Sequence, residues 1–413
     1  MLCGNEAIAA GGVLLLAPTG KARVRMEQAA KKKNLNLTGQ TVAGYLMESD
    51  RYVPETGQYR MLGPGAPKGK ILDTVIIDET SMMTEEMLAA LLEAVGGAKR
   101  IILVGDHRQL PPIGAGRPFA DIVRHLQPDR IESLFPKVGK GYAELTFNWR
   151  QDPSAPDTRL AAWFAGTDPG PGEEGIFDEL TTFGSKDRIQ LLSWNTADEC
   201  HALLQQVLQT ELKLSSPDDV IAFDKSLGGT ESKGNCYFNR TWDKGGGGNA
   251  AENWQILSPV KPMPHGVIGL NLLIRRLIRA KSVEWSRNRY RKTPEPLGPE
   301  EIVYGDKVIN VRNRRRWWEI YPEEGCAKYL ANGEIGIAVG QFKGPQAKYK
   351  GLPWKLEVEF NSQPRYTYGF TKRDFGEEGE APLELAYALT VRSSSRNAAT
   401  MASISTGPSA ANW

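Results

Sequence analysis

The stretch TVIIDE at residues 74–79 decides the fold, together with RIILVGDHRQLPP at residues 100–112. Each begins with a short, β-branched apolar run, which is typical of a strand buried on both faces of a parallel sheet. Each then ends in acidic and polar residues. In open α/β sheets the carboxyl ends of the strands form the edge that binds ligands. The pattern therefore predicts an α/β fold with a polar site at that edge.

The acidic pair Asp78 and Glu79 suits nucleotide hydrolysis. An aspartate can hold Mg²⁺, and a neighbouring glutamate can orient or deprotonate the attacking water. A solvated acidic pair at a strand end is also common in α/β proteins that lack this chemistry. The second stretch favours the functional interpretation, because Gly-Asp-x-x-Gln-Leu-Pro-Pro is long and chemically specific.

These two stretches resemble the Walker B motif and motif III of superfamily 1 DNA helicases, in the RecD-like branch that moves 5′ to 3′. Other segments resemble further motifs of that family. They are residues 13–22 (motif Ia), 148–151 (the arginine element of motif IV), 252–259 (the strand opening the second motor domain's central region), 305–309 and 332–336 (flanks of a small β-barrel insertion), and 385–391 (the lead-in to motif V).

The resemblance implies two RecA-like, parallel-sheet lobes of the P-loop NTPase type, with a small SH3-like β-barrel inserted in the second lobe. We expect lobe 1 at residues 1–150, lobe 2 at 151–306, the SH3-like insertion at 307–380 and the return to lobe 2 at 381–413. Short strands separated by Gly, Pro and Asn turns after residue 307 independently indicate a small barrel.

The resemblance also assigns ligands and roles. The ligands would be ATP and Mg²⁺, and the partner would be single-stranded or duplex DNA. Asp78 would hold Mg²⁺, Glu79 would activate water, and Gln109 would sense the γ-phosphate. Nucleotide contacts are expected from Gly105, Asp106, Gln109 and Arg150. Arg150 would act as an arginine finger in cis, and a surface salt bridge is the alternative.

DNA contacts are expected in two places. The first is the motif Ia turn, where Thr19 and nearby main-chain N–H groups would hold the DNA backbone; an ordinary strand-to-helix turn is the alternative. The second is a basic–aromatic cluster at residues 312–318, which suits phosphate tracking and base stacking. The basic stretch 275–292 fits a solvated helix face and a DNA surface equally well. The contact residues would be Pro18, Thr19, Gly20, Lys21, Arg312, Arg314 and Trp317.

The motif Ia turn imitates a phosphate-binding loop without being one. G-x-x-x-x-G-K-[ST] needs a leading glycine and a final Ser or Thr, and Leu15 and Ala22 stand at those positions. The motif occurs nowhere else in the sequence, and no motif VI arginine follows residue 391. We therefore expect an incomplete copy that lacks motifs I and VI. Its Ala/Ser/Thr-rich tail, residues 392–413, has too few large apolar residues to become ordered.

Composition sets looser bounds. At 413 residues the chain has room for two or three domains, and a formal net charge of +2 means that any DNA groove must be local. The 4 cysteines are scattered without metal-binding spacing, which favours reduced thiols in a cytoplasmic protein. No apolar run reaches the length of a membrane span.

Two other functions stay open. A single-stranded DNA-binding remnant or subunit without ATPase activity would keep the groove residues and lack motif I. A metal-dependent phosphohydrolase or nuclease would use Asp78 and Glu79 alone. It would need further carboxylates converging on them, and Asp106 is the only nearby candidate in the sequence.

We predict that this chain by itself hydrolyses ATP poorly, because it has no motif I to cradle the β- and γ-phosphates. Loss of an arginine finger alone costs on the order of 10³–10⁵ in rate. DNA-stimulated ATPase should be measured on this chain and on a version extended with a P-loop. Robust DNA-dependent turnover by the unextended chain, abolished by Glu79→Gln, would contradict the prediction.

Overall fold

The chain divides into two units, Met1–Ser193 and Trp194–Trp413. The structure is a computed structural model. It describes residues 11–53, 56–66, 72–145, 155–163, 175–186, 189–238, 246–287, 295–312, 314–316, 319–326, 328–342, 355–376, 381–390 and 401–403.

The first unit alternates helices and strands. Its helices are α1 (Gly20–Lys32), α2 (Val42–Met47), α3 (Glu85–Ala94), α4 (Pro118–Leu126), α5 (Pro156–Trp163) and α6 (Gly175–Phe183), with 3-10 turns at Thr80–Met82 and Ile131–Ser133. Its strands are β1 (Val13–Ala17), β2 (Gly39–Thr41), β3 (Tyr52–Val53), β4 (Gln58–Tyr59), β5 (Thr74–Ile77), β6 (Arg100–Leu103), β7 (Val138–Gly139), β8 (Tyr142–Ala143), β9 (Ser185–Lys186) and β10 (Ile189–Gln190).

A four-stranded parallel sheet with the order β2-β1-β5-β6 is the centre of this unit. Every residue of β1 is buried, and Val75 and Ile77 of β5 are buried with it. Helices α2 and α3 contribute Leu46 and Leu91 to the same apolar cluster. The prediction of a mixed α/β fold with a parallel sheet is confirmed.

Two threonines set where the main helices of this unit begin. The Oγ1 of Thr19 accepts a hydrogen bond from the N–H of Ala22 at the start of α1. The Oγ1 of Thr84 does the same for the N–H of Met87 at the start of α3. A threonine in this position satisfies a donor that the helix leaves unpaired. Helix α1 therefore starts just after the carboxyl end of β1, and α3 starts just after the 3-10 turn that follows β5.

One strand differs from its prediction. The apolar pattern at Ile189–Ser193 predicts the first strand of a second parallel sheet, whereas only Ile189–Gln190 is a strand, and it pairs antiparallel with Ser185–Lys186. Leu191 and Leu192 are exposed. Among the described residues no further strand pairs with this two-stranded hairpin.

The second unit combines two sheets. Its helices are α7 (Ala197–Glu211), α8 (Val220–Ser226), α9 (Gly247–Ala250), α10 (Val267–Ile274) and α11 (Ala280–Arg287), with a π-helix at Arg275–Arg279 and a 3-10 turn at Lys372–Phe375. Its strands are β11 (Thr230–Ser232), β12 (Asn235–Tyr237), β13 (Gln255–Ser258), β14 (Lys307–Asn310), β15 (Arg314–Arg315), β16 (Ile320–Tyr321), β17 (Tyr329–Leu330), β18 (Ile335–Phe342), β19 (Lys355–Phe360), β20 (Thr367–Phe370), β21 (Leu383–Leu385), β22 (Ala388–Thr390) and β23 (Met401–Ser403).

The two sheets differ in direction. Strands β22-β13-β23 form a parallel sheet, and strands β16-β20-β19-β18-β14-β21 form an antiparallel one. The short strands predicted after residue 307 are therefore present. The SH3-like identity of this antiparallel sheet stays a prediction, as do the domain boundaries.

The join between these sheets is only two residues long. Ala386 and Tyr387 connect β21 of the antiparallel sheet to β22 of the parallel sheet. The side-chain amide of Asn271 donates to the carbonyls of Leu385 and Ala388 at 3.0 Å each, and its Oδ1 accepts the N–H of Ala388 at 2.8 Å. Gln255 Nε2 donates to the carbonyls at both positions of the join. Two buried amides thus hold the crossover from one sheet to the other.

A buried ion cluster lies beside this join. Arg279 Nη2 is 2.6 Å from Asp224 Oδ1, and Arg279 Nε is 3.3 Å from Asp306 Oδ1. The hydroxyl of Tyr387 donates to Asp306 at 2.6 Å. Burial raises the pKa of both carboxyl groups, against the opposing charge of Arg279. The cluster connects α8, the π-helix, the turn before β14 and the two-residue join.

Most basic side chains in the described part of the stretch 275–292 form ion pairs within this unit. Arg275 and Arg287 both pair with Glu301, and Lys281 pairs with Asp218. Arg279 is buried in the ion cluster. In the described part of the stretch, up to residue 287, these contacts favour the structural interpretation over a DNA surface; residues 288–292 lie outside the described ranges.

The tail contains a strand, which the sequence did not lead us to expect. Met401–Ser403 pairs in parallel with Gln255–Leu257. The prediction of an entirely disordered tail is wrong at these three residues. The edge of β13 offers backbone N–H and C=O groups that a short segment can pair with, whatever its side chains. The remaining tail positions lie outside the described residues.

Two further observations concern the described ranges alone. Cys200, Cys236 and Cys326 are free thiols. No helix there is long and apolar enough to cross a membrane.

Arg279→Leu should lower the free energy of unfolding of the second unit by about 3–5 kcal/mol, because two buried carboxylates then lose their cation. Arg276→Leu is the control, since Arg276 is exposed on the same π-helix turn. It should change stability by no more than about 0.5 kcal/mol. Urea unfolding, followed by amide exchange in β13 and β14, measures both. Equal midpoints for the two variants would contradict a stabilising role for the cluster.

Candidate nucleotide and nucleic-acid site

The carboxyl ends of three neighbouring strands bring the candidate residues of the first unit to one edge. Leu16 of β1 lies opposite Ile77 of β5, which lies opposite Leu103 of β6. The N–H of Asp78 donates to Leu16 O at 2.9 Å, and the N–H of Val104 donates to Ile77 O at 2.8 Å. The chain therefore leaves all three strands at the same level.

The motif Ia turn leaves β1 at this edge and starts α1. Thr19 is extended, with φ −119° and ψ 151°, and caps the helix through Ala22 N–H at 3.3 Å. Gly20 is buried, and no acidic residue stands in the first turn of α1. Lys21 adds a cation there. A helix N-terminus with no acidic residue in its own first turn favours anions, which suits contact with a phosphate.

The acidic pair forms a locked turn at the end of β5. Asp78 Oδ1 accepts the N–H of Glu79 at 2.9 Å. Glu79 has a left-handed backbone, with φ 52° and ψ 38°, which is uncommon for a residue other than glycine. The N–H of Thr80 donates to Val104 O, and its hydroxyl donates to Ile77 O, both at 2.9 Å. Such strain, held by its surroundings, is concentrated at functional sites.

The motif III loop follows β6 and folds over the same edge. The N–H of Arg108 donates to Asp106 Oδ1 at 3.0 Å, and the N–H of Gln109 donates to Asp106 O at 3.2 Å. Gly105 leaves little room for a side chain, because a Cβ there would lie 3.0 Å from the Phe119 ring and 3.1 Å from Ser81 N. Asp106 thus shapes the loop that carries Gln109.

The donor chemistry at the edge fits Mg²⁺. Carboxylate oxygens are hard ligands, and Mg²⁺ is commonly held by one or two carboxylates together with waters and substrate phosphates. Among the described residues no group of three or more His, Cys, Asp or Glu side chains could hold a metal by itself. The site therefore fits an ion that Asp78 would share with a phosphate, and does not fit a cage built from protein ligands.

The structure brings together nine of the predicted residues. They are Pro18, Thr19, Gly20, Lys21, Asp78, Glu79, Gly105, Asp106 and Gln109. No contact among the described residues places the other predicted residues at this edge. Arg312 follows β14 in the second unit, where its carbonyl accepts a hydrogen bond from Asn310 Nδ2 at 2.7 Å. The backbone of Arg314 is in β15, its side chain lies outside the description, and so do Arg150 and Trp317.

A charged contact that no sequence spacing reveals ties the motif III loop to a hairpin. Arg108 Nη2 lies 3.4 Å from Glu144 Oε1, and the hydroxyl of Tyr142 donates to Glu144 Oε2 at 3.1 Å. Lys137 lies 3.8 Å from the same carboxylate. Glu144 stands six positions before Arg150 along the chain. The contact joins residues 36 positions apart, so only the fold shows it.

Part of the sequence is similar to known proteins. A family model described as an AAA domain matches residues 4–168. The RecBCD enzyme subunit RecD of Mycolicibacterium smegmatis is 35% identical over 134 residues, which is 30% of this chain and 23% of that protein. The ATP-dependent RecD2 DNA helicase of Deinococcus radiodurans is 33% identical over 126 residues, which is 30% of this chain and 16% of that protein.

Part of this chain is thus similar to proteins of the RecD type and to the AAA domain family. The matched segment covers less than a quarter of the length of these two relatives. A crystal structure of Bacteroides Pif1 bound to single-stranded DNA aligns with 94% of this chain and 81% of that one, at 13% identity and a TM-score of 0.35. At that level the structural likeness carries no argument, and the similarity rests on the sequence relatives.

Thr19→Ala should lower the free energy of unfolding of the first unit by about 1 kcal/mol, because α1 loses its capping oxygen. Thr19→Ser keeps that oxygen and is the matched control. Urea unfolding and the exchange rates of the Ala22 and Arg23 amides measure the effect. An equal loss in both variants would show that the methyl group of Thr19, and not its hydroxyl, stabilises the turn.

Proposed function

We propose that this chain is the DNA-tracking and catalytic part of an ATP-dependent helicase, which couples ATP hydrolysis to 5′ to 3′ movement on single-stranded DNA. The observation that carries the proposal is the single sheet edge that holds Thr19, Asp78, Glu79 and Asp106 on three adjacent parallel strands. Residues for DNA contact and for hydrolysis thus follow neighbouring strands. A movement at one strand end is passed directly to the next.

Each residue at the edge has a role that its geometry supports. Asp78 would hold Mg²⁺ through the carboxylate oxygen that does not accept the N–H of Glu79. Glu79, which has a left-handed backbone at the end of β5, would orient and deprotonate the attacking water. Gln109 would contact the γ-phosphate from a loop that Asp106 holds in shape. Mg²⁺ supplies charge neutralisation at the phosphates when it is bound.

The DNA side of the proposal rests on the motif Ia turn. Thr19, Gly20 and Lys21 present a helix N-terminus and a cation at the edge. The remaining assignments follow from the family resemblance alone. They are the arginine finger Arg150, the DNA contacts Arg312, Arg314 and Trp317, two RecA-like lobes with an SH3-like insertion, and a cytoplasmic location.

A second function is favoured by one specific observation. The sequence contains no G-x-x-x-x-G-K-[ST], so a phosphate cradle would have to come from outside it. A single-stranded DNA-binding protein without ATPase activity would need only the motif Ia turn and the motif III loop. The nuclease alternative lacks a comparable argument, because the described residues contain no cluster of metal-binding side chains beyond the acidic pair.

Lys21→Gln should weaken binding to a single-stranded oligonucleotide and lower the salt dependence of that binding. Each phosphate contact to single-stranded DNA contributes a slope of about −0.7 in log K against log salt, so the slope should become shallower by roughly that amount. Lys32→Gln is the control, because Lys32 is in the last turn of the same helix. Fluorescence anisotropy at several salt concentrations measures both variants. Identical curves for the two would exclude the motif Ia turn from the DNA contact, and no binding at low salt by the unaltered chain would contradict the proposed function itself.

A further inference from the structure

The outer edge of strand β6 is open in the first unit. β6 is the last strand in the order β2-β1-β5-β6, and no described residue pairs with its far side. Strands of a parallel sheet are normally covered on both faces. Here Ile101 is 40% exposed and Val104, just past the strand, is 43% exposed. Because side chains alternate along a strand, these two lie on opposite faces of the sheet. The edge therefore leaves apolar side chains in solvent on both faces.

Backbone groups at this edge face away from the sheet. The N–H of Val104 donates to Ile77 O at 2.8 Å, on the side of β5. In a parallel ladder alternate residues bond to the same neighbour, so the N–H and C=O groups of Ile101 and Leu103 point away from β5. Such a row of backbone groups is what an exposed edge strand offers to another chain.

The opposite edge of the same sheet is protected. Strand β2 has only 3 residues, and its Gly39 and Thr41 are buried. The N–H of Gly39 donates to Glu27 Oε1 at 2.8 Å, so a side chain of α1 already satisfies a donor of this strand. Between Ile101 and Val104 the sequence of β6 has neither a charge nor a proline. Natural sheets use such residues to prevent pairing at an edge, and their absence here favours pairing.

The charges along β6 select the direction of a partner strand. Lys99 and Arg100 stand at its start, and Asp106 follows its end. Lys99 pairs with Asp73 at 2.7 Å and Arg100 donates to Thr74 Oγ1 at 3.1 Å, which keeps both cations at the start of the strand. A parallel neighbour of the same sequence would place like charges together. An antiparallel neighbour places the basic end of each strand beside the acidic end of the other.

The antiparallel register is self-complementary. When Ile102 of one copy lies opposite Ile102 of a second copy, Ile101 of each copy lies opposite Leu103 of the other. Ile101 and Leu103 are the residues whose backbone groups face the open edge, so each exchanges its hydrogen bonds with the other copy. The operation is a two-fold rotation, and a pairing of that kind closes at a dimer.

We propose that a second copy of this chain pairs antiparallel with the open edge of β6, so that the four-stranded sheets of two copies become one continuous sheet. The proposal goes beyond ATP hydrolysis and DNA binding and rests on neither. It also bears on the motif III loop, which leaves β6 at Gly105, because an added strand fixes the strand end from which that loop starts.

Sedimentation velocity of the full chain at several concentrations tests the pairing. The expected result is a reversible equilibrium between monomer and dimer without larger species. Ile101→Lys puts a cation into the apolar edge and should weaken the dimer by about tenfold or more. Leu92→Lys is the matched control, because Leu92 is 43% exposed on α3, and it should leave dimerisation unchanged. Circular dichroism of both variants should match that of the unaltered chain.

Cysteine cross-linking tests the direction and the register. In the proposed pair Ile102 faces its own copy at a position without hydrogen bonds, where Cα atoms lie about 4.5 Å apart. That spacing suits a disulfide. Ile102→Cys should therefore give a covalent dimer on mild oxidation, and mass spectrometry should find position 102 linked to position 102. Val104→Cys is the control, because position 104 lies opposite Arg100 and should not link to itself.

Each other result overturns the proposal. A monomer at every concentration would exclude the pairing, and a dimer that Ile101→Lys leaves intact would place the interface elsewhere. Self-linkage at both 102 and 104 would indicate parallel pairing. Larger aggregates that Ile101→Lys removes would mean that the edge captures strands without closing at a dimer. None of these results bears on the proposed function, whose own test is oligonucleotide binding by the Lys21 variant.

Discussion

Parallel backbone pairing between β1, β5 and β6 is the constraint on which the first unit depends. In a parallel sheet every strand ends at the same edge, so the polar residues after each apolar run are gathered without any side-chain contact between them. Hydrogen bonds from Asp78 N–H and Val104 N–H continue the ladder just past the strands. They hold the acidic turn and the motif III loop at a fixed level. The helix that follows β1 then adds its positive end to the same edge.

The second unit depends on a different constraint, which is the need to satisfy buried polar groups. Two sheets of opposite character meet at two residues, and backbone groups there cannot reach water. Asn271 and Gln255 supply the missing hydrogen bonds, while Arg279 neutralises Asp224 and Asp306 next to them. The Oε1 of Gln255 is buried without a hydrogen-bond partner in the described part of the chain. The bonds that the network does make are specific about geometry, because a shift would leave further buried groups unpaired. The antiparallel sheet is therefore joined stiffly to the parallel sheet of its own unit.

The acidic pair, the motif III loop and the motif Ia turn were all visible as residue patterns, and the strands that carry them begin and end within about one residue of their predicted places. The patterns succeed because each residue acts close to its own strand, where local sequence decides the conformation. They fail where a partner is far along the chain. Nothing in the sequence shows that Glu144 contacts Arg108. Nor does it show that basic residues of the 275–292 stretch form ion pairs with Glu301 and Asp218, or that Met401–Ser403 pairs with β13.

The sequence by itself determined the fold class and the RecD-like motifs, because alternation of apolar runs with helix-forming segments and strand-end carboxylates are local properties. Only the tertiary structure decided which side chains share a cleft. In the sequence, Ser81 is a serine shortly after an acidic pair and Arg117 is an arginine before a proline. Neither position indicates that the two residues lie near each other. They line one cleft where Phe119 and the turn at Ser81 both lie close to Gly105. That approach is set by packing between separate elements, and no spacing along one chain encodes it.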